Sequence, residues 1–292
     1  MIEDLPSSAK PSKYFDQFRF IERPAEAVGK QLHTIGGALL FVGQVLYYVP
    51  VTIKHYRREI LARMVSLSFG RGSLVVDGGV ISVLLILGVA IGASIAIEAW
   101  ATLNLLGFGA LSGIVGGLAN VREMAPLVAG IAFASQAGCR MTAEIGAMRI
   151  AEEIDATEAM GLRALPYVVG TRFIGGLLIV IPGFALTLLV SFFVTNAMIT
   201  EFYGAAQGTY QHYFVQFLSP TDLLYSTLKA TVFCAAVTII HCYYGYFASG
   251  GPVGVGVASG RAVRASLVAI MVLNFGLTVT LWGLQPTFVF TG

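Results

Sequence analysis

Long apolar stretches without Asp, Glu, Lys or Arg recur along the chain. They are residues 80–97, 173–200, 230–247 and 265–292. A transmembrane helix needs about 20 mostly apolar residues, so these stretches predict spans at roughly 75–100, 166–196, 223–247 and 265–286. Residues 107–138 form a fifth apolar region, which only Arg122 and Glu123 interrupt. The pattern predicts an all-α polytopic membrane protein.

The composition excludes a soluble globular protein. Of the 292 residues, 56% are hydrophobic and 12% are charged, whereas soluble domains carry about 25% charged residues. The net charge of +2 is too small to indicate binding to nucleic acid. The cysteines, Cys139, Cys234 and Cys242, lack the spacing of a metal site, and we interpret them as packing residues.

Residues 31–53 also lack Asp, Glu, Lys and Arg and are long enough to cross a bilayer. Cytoplasmic loops carry an excess of Lys and Arg. If 31–53 lies along the membrane surface and five helices span, the basic segments 1–72, 139–172 and 248–264 are cytoplasmic, and the opposite loops 101–106 and 197–222 contain no Lys or Arg. If it crosses, basic residues lie outside and every later loop inverts. We therefore expect five spans in the plasma membrane, with a cytoplasmic N-terminus and an extracytoplasmic C-terminus.

The segment after Pro50 has the pattern of an amphipathic helix. Apolar residues recur at helical spacing from Ile53 to Leu67, while Lys54 and Arg63 occupy other positions. A basic amphipathic helix of this kind lies in the membrane interface; a cytosolic helix packed on a partner is the alternative. The predicted organisation is a cytoplasmic tail (1–29), an interfacial helix region (30–72) and a five-span domain (73–292).

No motif of a catalytic or metal site is present. The chain lacks the G-x-x-x-x-G-K-[ST] phosphate-binding loop, the G-x-S-x-G nucleophile motif and the H-E-x-x-H metal motif. Its histidines, His33, His55, His212 and His241, are widely spaced. The sequence predicts a chain that is not an enzyme and binds no metal or cofactor, so another subunit must use any ATP.

Three charged residues lie at predicted membrane depth: Arg122, Glu123 and Lys229. An ionisable side chain there costs about 2.5 kcal/mol or more unless it meets a partner, water or a cavity. One interpretation is a polar site that faces lipid or an ion; the other is a structural ion pair, or a lysine that snorkels to the interface. Adjacent helix residues point about 100° apart, so one of Arg122 and Glu123 should face a cavity or headgroup and the other a neighbouring helix.

Glycines in the first two spans predict close helix packing. Gly88 and Gly92 form a G-x-x-x-G motif, which permits two helix backbones to approach closely. Glycines of the second span indicate the same; they are Gly113, Gly116, Gly117 and Gly130.

Residues 142–160 predict an acidic cytoplasmic helix between the second and third spans. The segment is rich in Ala, Met and Glu, and Gly161 followed by Pro166 marks its end. An acidic helix on an otherwise basic side of the membrane indicates a docking site for a protein partner; a solvated loop helix is the alternative. The residues assigned to docking are Glu144, Arg149, Glu152, Glu153, Asp155 and Glu158.

Several motifs resemble those of the MlaE/YrbE permease family in order and spacing. They are Val121-Arg-Glu-Met-Ala-Pro126, Ala143-Glu-Ile-Gly-Ala-Met-Arg149, Glu152-Glu-Ile-Asp-Ala156, Ala159-Met-Gly161, Leu228-Lys-Ala-Thr-Val-Phe233, His241-Cys-Tyr-Tyr-Gly245 and Gly250-Gly-Pro-Val-Gly-Val-Gly256. The run Gly208-Thr-Tyr-Gln-His-Tyr-Phe214 is most similar to the B-type YrbE subunit of actinobacterial MCE operons. Two positions depart from the pattern: Ala134-Ser-Gln-Ala-Gly138, where relatives often have A-G-R-x-G, and Asn274, where some carry an acid.

The resemblance implies an ABC-type lipid transporter. Two permeases form its membrane core, a cytoplasmic ATPase dimer uses ATP and Mg²⁺, and MCE proteins form a channel on the outer side. By position, the family's Arg-Glu pair falls on Arg122 and Glu123, its fourth-span lysine on Lys229, and its coupling helix on residues 142–161. The two departures suit a heterodimer with a second YrbE-type permease.

The function expected from this resemblance is that of a permease subunit of an ATP-driven MCE importer for fatty or mycolic acids, sterols or related lipids. A membrane scaffold subunit that anchors the MCE assembly without a transport path is the first alternative. A membrane-embedded acyl-transfer enzyme is the second.

Overall fold

The computed structural model describes residues 36–70 and 79–283, apart from the side chain of Ala110. Every regular element in these residues is helical. In chain order the helices are α1 Gly36–His55, α2 Arg57–Phe69, α3 Val80–Leu105, α4 Ser112–Ile150, α5 Glu153–Ala159, α6 Pro166–Phe202, α7 Gln207–Phe217, α8 Pro220–Tyr246 and α9 Gly251–Trp282. The all-α class predicted from the hydrophobic pattern is confirmed.

Six helices of the described residues are long and apolar enough to cross a membrane: α1, α3, α4, α6, α8 and α9. The last five correspond to the five predicted spans. The first, α1, has 20 residues and lies in the stretch 31–53. Its length suits either a crossing or an interfacial position, so the structure leaves both possible. The chain is an integral membrane protein, whereas the number of crossings and the orientation of its termini stay predictions.

The chain divides into two units, Met1–Leu46 and Tyr47–Gly292. The structure describes the first unit only over the beginning of α1. The second unit contains the remaining helices and every site discussed below. The predicted cytoplasmic tail, 1–29, lies outside the described residues.

Small residues bring helix backbones of the second unit together. A Cβ atom on Gly88 would lie 2.9 Å from the carbonyl oxygen of Thr187, and one on Gly92 would lie 2.5 Å from that of Ser191. The backbones of α3 and α6 are therefore in contact along this face, as a G-x-x-x-G motif permits. The close packing predicted from Gly88 and Gly92 is confirmed.

Helix α7 covers the beginning of α4. Cβ atoms on Gly113, Gly116 and Gly117 would meet Tyr210 or Phe214 of α7 at 2.5 to 3.5 Å. The glycines pack closely, as predicted, but their partner is a short helix outside the spans. Gly130, further along α4, packs against Phe233 of α8.

The two loops that lack Lys and Arg lie at the same end of the spans. The ring of Trp100, near the end of α3, stacks on that of Tyr203, which follows α6, with centroids 5.4 Å apart. At the other end, Arg140 of α4 donates to the backbone oxygen and the hydroxyl of Ser66 in α2, both at 3.1 Å. One end of the spans therefore carries the loops without Lys or Arg, and the basic residues lie at the other end.

Helix α2 begins one residue after Tyr56, which separates it from α1. The apolar pattern that starts at Ile53 is thus divided between two helices. Ile60 and Leu67 of α2 are buried, and the backbone of this helix passes 3.4 Å from the Cβ position of Gly175 in α6. The apolar face predicted for this segment therefore packs on a span.

The prediction of one continuous helix over residues 142–160 is wrong. Helix α4 extends to Ile150, α5 begins at Glu153, and Glu152 between them has a φ of 57°, which a non-glycine residue rarely adopts. The break turns the chain so that Ile154 is completely buried. The first half of the predicted coupling helix is the end of the second span, and only α5 is a separate helix.

Helices α4 and α6 are not uniformly α-helical. Val115–Met124 and Ala134–Gly138 in α4 have π-helical hydrogen bonding, as do Pro166–Gly170 and Met198–Phe202 in α6. Such wider turns are rare and often occur at functional sites. The first of them contains Arg122 and Glu123.

Candidate functional site

Polar side chains from α4, α8 and α9 meet within the apolar helices. We call this group the Lys229 cluster; its members are Arg122, Glu123, Asp222, Lys229, Asn274, Thr278 and Trp282. The three residues that the sequence placed at membrane depth all belong to it. The structure therefore brings together residues that are more than 100 positions apart in the chain.

Lys229 is the centre of the cluster and is completely buried. Its ammonium group donates to Glu123 Oε1 at 3.1 Å, to the hydroxyl of Thr278 at 2.7 Å and to the carbonyl oxygen of Arg122 at 2.9 Å. A lysine ammonium has three donors, and all three have partners. Lys229 therefore does not snorkel.

Glu123 carries the compensating charge and has one open side. Its Oε1 accepts a hydrogen bond from Thr278 at 2.7 Å, and its Oε2 accepts one from the amide of Asn274 at 3.0 Å. The side chain is nevertheless 35% exposed. The carboxylate is thus held by α8 and α9 and still accessible from outside this chain.

Arg122 points to different partners. Its guanidinium donates to Asp222 Oδ2 at 3.0 Å, and Asp222 Oδ1 accepts from the indole of Trp282 at 2.6 Å. The Trp282 ring also lies under both cations, 5.6 Å from Arg122 Cζ and 5.5 Å from Lys229 Nζ, within the range of a cation–π contact. Trp282 therefore links the two ion pairs.

Both Arg122 and Glu123 meet a neighbouring helix, whereas the sequence predicted this for one of them and a cavity or headgroup for the other. The two side chains diverge as predicted, but Arg122 pairs with the first turn of α8 while Glu123 pairs with the middle of α8 and with α9. Helices α8 and α9 therefore supply partners to both side chains. The role of these residues towards lipid stays a prediction.

Sequence reasoning missed Asp222, Thr278 and Trp282. Asp222 lies in the first turn of α8, where an acid is common because it favours a helix N-terminus, so it did not stand out. Thr278 and Trp282 lie in an uncharged span. A signal was present for Asp222, since ionisable residues at membrane depth commonly pair with one another.

The cluster is neutral but not fully satisfied. Among its described members, the charges of Arg122 and Lys229 balance those of Glu123 and Asp222. The Arg122 Nε and the Asn274 Oδ1 are buried without a hydrogen-bond partner in the described residues. Of these groups, the Glu123 carboxylate is the one that a polar group from outside the chain can reach.

A second ion cluster joins α2, α4 and α6. Glu144 accepts hydrogen bonds from Arg140 Nε at 3.0 Å and from the buried Arg172 at 3.1 Å, and Arg63 of α2 lies 3.5 Å away. Glu144, which the sequence assigned to partner docking, is thus engaged within the chain. This cluster ties the span that leads to α5 to the two helices beside it.

The other residues assigned to docking surround α5. Arg149 and Asp155 form an ion pair at 2.6 Å, and Glu158 accepts a hydrogen bond from the Tyr246 hydroxyl at 3.3 Å. Glu152 and Glu153 are exposed. The acidic surface that remains open to a partner is therefore the beginning of α5.

Within the described residues, no group of His, Cys, Asp and Glu is arranged to hold a metal ion. The buried His241 bonds to the hydroxyl of Thr142 at 2.8 Å and to that of Ser266 at 3.3 Å. Its ring fills the space beside Gly138, whose Cβ position lies 2.7 Å from it. His241 is therefore a packing residue that joins α4, α8 and α9.

The fold and the site define a polytopic α-helical membrane protein with a charge-balanced ion cluster inside its spans. The chain belongs to the MlaE permease family, because the family described as Permease MlaE matches residues 71–280.

Similar proteins occur in bacteria and in a plant. The MlaE permease of an intermembrane phospholipid transport system in Haemophilus influenzae is 28% identical over 260 residues, which are 88% of this chain and 92% of that protein. A probable ABC transporter permease of Rickettsia prowazekii is 30% identical over 55% of this chain, and the match spans 62% of that protein. TRIGALACTOSYLDIACYLGLYCEROL 1 of Arabidopsis thaliana is 29% identical over 59% of this chain and 49% of its own length.

Proposed function

We propose that this chain is a membrane permease subunit of an ATP-driven lipid importer of the MCE type, most like the B-type YrbE subunit of actinobacteria. The cargo class is fatty or mycolic acids, sterols or related lipids. Membership of the MlaE family and the similarity to a phospholipid transport permease over 88% of the chain support the proposal. The motif at 208–214 supports the B-type assignment.

The Lys229 cluster is the observation that carries this function. A fully buried lysine and a partly open carboxylate inside apolar helices are costly, and a transport subunit can use them where a lipid headgroup passes. Because the cluster is neutral as a whole, a headgroup without net charge can form a hydrogen bond with one of its members without leaving an uncompensated charge. Glu123 is the member that such a headgroup reaches first, since Lys229 is buried.

We assign each partner protein to one of the two ends of the spans. We place a cytoplasmic ABC ATPase dimer, which uses ATP and Mg²⁺, against the exposed start of α5. MCE proteins lie against the opposite end, beside α7. A second YrbE-type permease completes a heterodimer and closes the open side of Glu123.

A scaffold subunit that anchors MCE proteins without a transport path is the second candidate. One observation favours it: Lys229 already has three partners within the chain, as a purely structural ion pair requires. The two functions differ in what happens when Glu123 loses its charge but keeps its shape.

Lipid-dependent ATP hydrolysis by the assembled complex in nanodiscs distinguishes them. Glu123→Gln leaves the buried Lys229 without its counter-charge, so it should lower the stability of the complex. In the fraction that assembles, it should also reduce lipid-stimulated ATP turnover and lipid transfer about tenfold, which corresponds to about 1.4 kcal/mol. The matched control is Glu98→Gln, which removes an exposed carboxylate of α3 outside the cluster. An intact Glu123→Gln complex with normal turnover and transfer supports the scaffold, and lipid chemistry that continues without the ATPase supports an acyl-transfer enzyme.

A further inference from the structure

An excess of positive charge lies where α2 packs against α4 and α6. Three arginines, one from each helix, surround the carboxylate of Glu144. Its oxygens lie 3.0 Å from Arg140 Nε, 3.1 Å from Arg172 Nη2 and 3.5 Å from Arg63 Nη1. We call these four residues the Glu144 cluster. Because one carboxylate faces three guanidinium groups, two positive charges have no counter-charge of their own among the ion pairs of the described residues.

Two of the three arginines are open to a ligand from outside the chain. The side chains of Arg63 and Arg140 are 33% and 23% exposed, whereas Arg172 is buried. Within the part of the chain that the structure describes, the Arg63 guanidinium makes no hydrogen bond, and its contact with Glu144 is its only ion pair. A guanidinium group has five N–H donors. Arg63 is therefore the member of the cluster with donors available to an anion.

Contacts between the helices hold these arginines in place. Arg140 donates from both terminal nitrogens to Ser66 of α2, to its carbonyl oxygen and to its hydroxyl, each at 3.1 Å. Ser66 lies three residues after Arg63, on the same side of the helix. Gly175 of α6 lets α2 lie close, since its Cβ position is 3.6 Å from the Cβ of Arg63. Helix packing therefore positions the positive groups before any ligand binds.

The charge and the donors of the cluster favour a phosphate group. Arg63 and Arg140 reach the same carboxylate, so their guanidinium groups lie close together. Guanidinium groups bind phosphate oxygens through paired hydrogen bonds. A terminal phosphate has three acceptor oxygens and carries about −1.5 to −2 charges at pH 7, which matches the excess of positive charge. Glu144 offsets only one of the three positive charges, so the cluster still attracts an anion.

The surroundings indicate that this phosphate belongs to a lipid. The exposed side of α2 carries Leu61, Val65 and Phe69, at 55%, 52% and 53% exposure, and the first two residues of the helix are exposed arginines. A helix of this kind lies in the membrane interface, where basic pockets between cytoplasmic ends of spans bind anionic headgroups. On α6, about one turn beyond Gly175, Leu178 is 46% exposed. Acyl chains can therefore contact these apolar side chains while the phosphate meets the arginines.

We propose that the Glu144 cluster binds the phosphate of an anionic phospholipid through Arg63 and Arg140. Arg172 contributes its charge from the interior and does not touch the ligand. The inference concerns binding to this chain at the basic end of the spans and does not depend on transport. A failure of the proposed transport function therefore leaves it intact, and a failure of phospholipid binding leaves the transport function intact.

Native mass spectrometry of the purified full-length protein in detergent provides the test, because it counts each bound lipid. Phosphatidic acid is the probe, and it should bind about tenfold more tightly than phosphatidylcholine, whose headgroup has no net charge. Oleic acid and soluble glycerol 3-phosphate are tested separately. Both should bind more weakly than phosphatidic acid at this site, since the first lacks a phosphate and the second lacks acyl chains.

Two arginines of α2 provide the matched variants. Arg63→Gln removes the open guanidinium and should weaken binding of phosphatidic acid about tenfold, as expected for lost hydrogen bonds to a charged group. Arg58→Gln removes an exposed arginine from another side of the same helix and should bind normally. Glu144 keeps two arginines in Arg63→Gln, so the fold should persist, and thermal unfolding without lipid verifies this. If Arg63→Gln is unstable, Arg63→Lys, which keeps the charge without the paired donors, should weaken binding about threefold.

The proposal is overturned if phosphatidic acid binds no more tightly than phosphatidylcholine, or if the variant at Arg63 binds as Arg58→Gln does. It is also overturned if oleic acid or glycerol 3-phosphate binds as tightly as phosphatidic acid with the same dependence on Arg63.

Discussion

At the scale of single residues, Lys229 shows how an ammonium group is tolerated inside apolar helices. Its three donors reach a carboxylate, a hydroxyl and a carbonyl oxygen, so no donor remains without an acceptor. Removal of one partner from such a pair leaves an uncompensated buried charge, which is much more costly than removal of both. The pair with Glu123 is therefore expected to matter for stability as well as for lipid.

Lys229→Met should destabilise the protein by about 3–5 kcal/mol. Glu123→Gln in the same chain should restore part of this loss, because it removes the carboxylate that has lost its counter-charge. The measurement is thermal unfolding of the purified protein, followed by fluorescence-detected size exclusion. Lys54→Met, at an exposed position in α1, is the control.

Two results would change this interpretation of Lys229. Normal stability combined with less bound lipid and less transport assigns the ammonium group to headgroup binding alone. Normal stability and normal uptake together contradict both the structural and the lipid-binding role.

At the scale of elements, α5 is a short helix between the spans α4 and α6, at the end opposite α7. The left-handed conformation at Glu152 and the complete burial of Ile154 fix its direction relative to α4. Through α4 it is connected to the Glu144 cluster, in which three arginines from α2, α4 and α6 approach one carboxylate. A force applied to α5 therefore reaches two further helices.

Glu152→Lys together with Glu153→Lys should weaken copurification of the ATPase while membrane insertion is unchanged. Both acids are exposed, and Asp155 is left in place because it pairs with Arg149. Lysine is no less suited than glutamate to the backbone at 152, so the fold is not expected to change. Single loss of Glu158 should do less, since exposed pairs contribute about 0–1 kcal/mol.

Glu201→Lys is the matched control for this experiment, because Glu201 is an exposed acid at the opposite end of the spans. If the double variant retains its ATPase and its ATP turnover, α5 is not the docking element.

At the scale of the whole molecule, the Lys and Arg residues are distributed unequally between the two ends of the spans. The loops that follow α3 and α6 contain none, and both lie beside the beginning of α7. The loops that follow α4 and α8 lie at the other end, where Arg140 and Arg172 are found. Cytoplasmic loops are the basic ones, so the end with α7 should face outward.

Cysteine labelling in sealed cells tests this orientation. All three native cysteines are unpaired and are replaced by alanine. A single cysteine at Gln207, at the exposed start of α7, should react with an impermeant maleimide, whereas one at Ser249, in the loop before α9, should not. Labelling of the Ser249 site and protection of the Gln207 site would invert the topology.

The sequence by itself determined the class of protein and the course of its helices. Apolar length identified the long helices α3, α4, α6, α8 and α9, and glycine spacing indicated that α3 packs closely on another helix at Gly88 and Gly92. Both signals are local. A helix pairs its backbone N–H and C=O groups within one segment of the chain, and a glycine leaves room for a neighbouring backbone whichever helix supplies it. Arg122, Glu123 and Lys229 were found for the same reason, since a charge in an apolar segment is visible without knowledge of its neighbours.

Tertiary structure alone decided which residues meet. Asp222 and Trp282 join Arg122 from 100 or more positions away along the chain, and their pairing depends on which faces of three helices are opposed. The break at Glu152 depends on the burial of Ile154, which periodicity within 142–160 does not encode. The packing of α7 over Gly113 and Gly116 of α4 likewise depends on a contact between segments far apart in the chain. Local patterns report what each helix can bury, whereas a binding site depends on what the neighbouring helices leave uncovered.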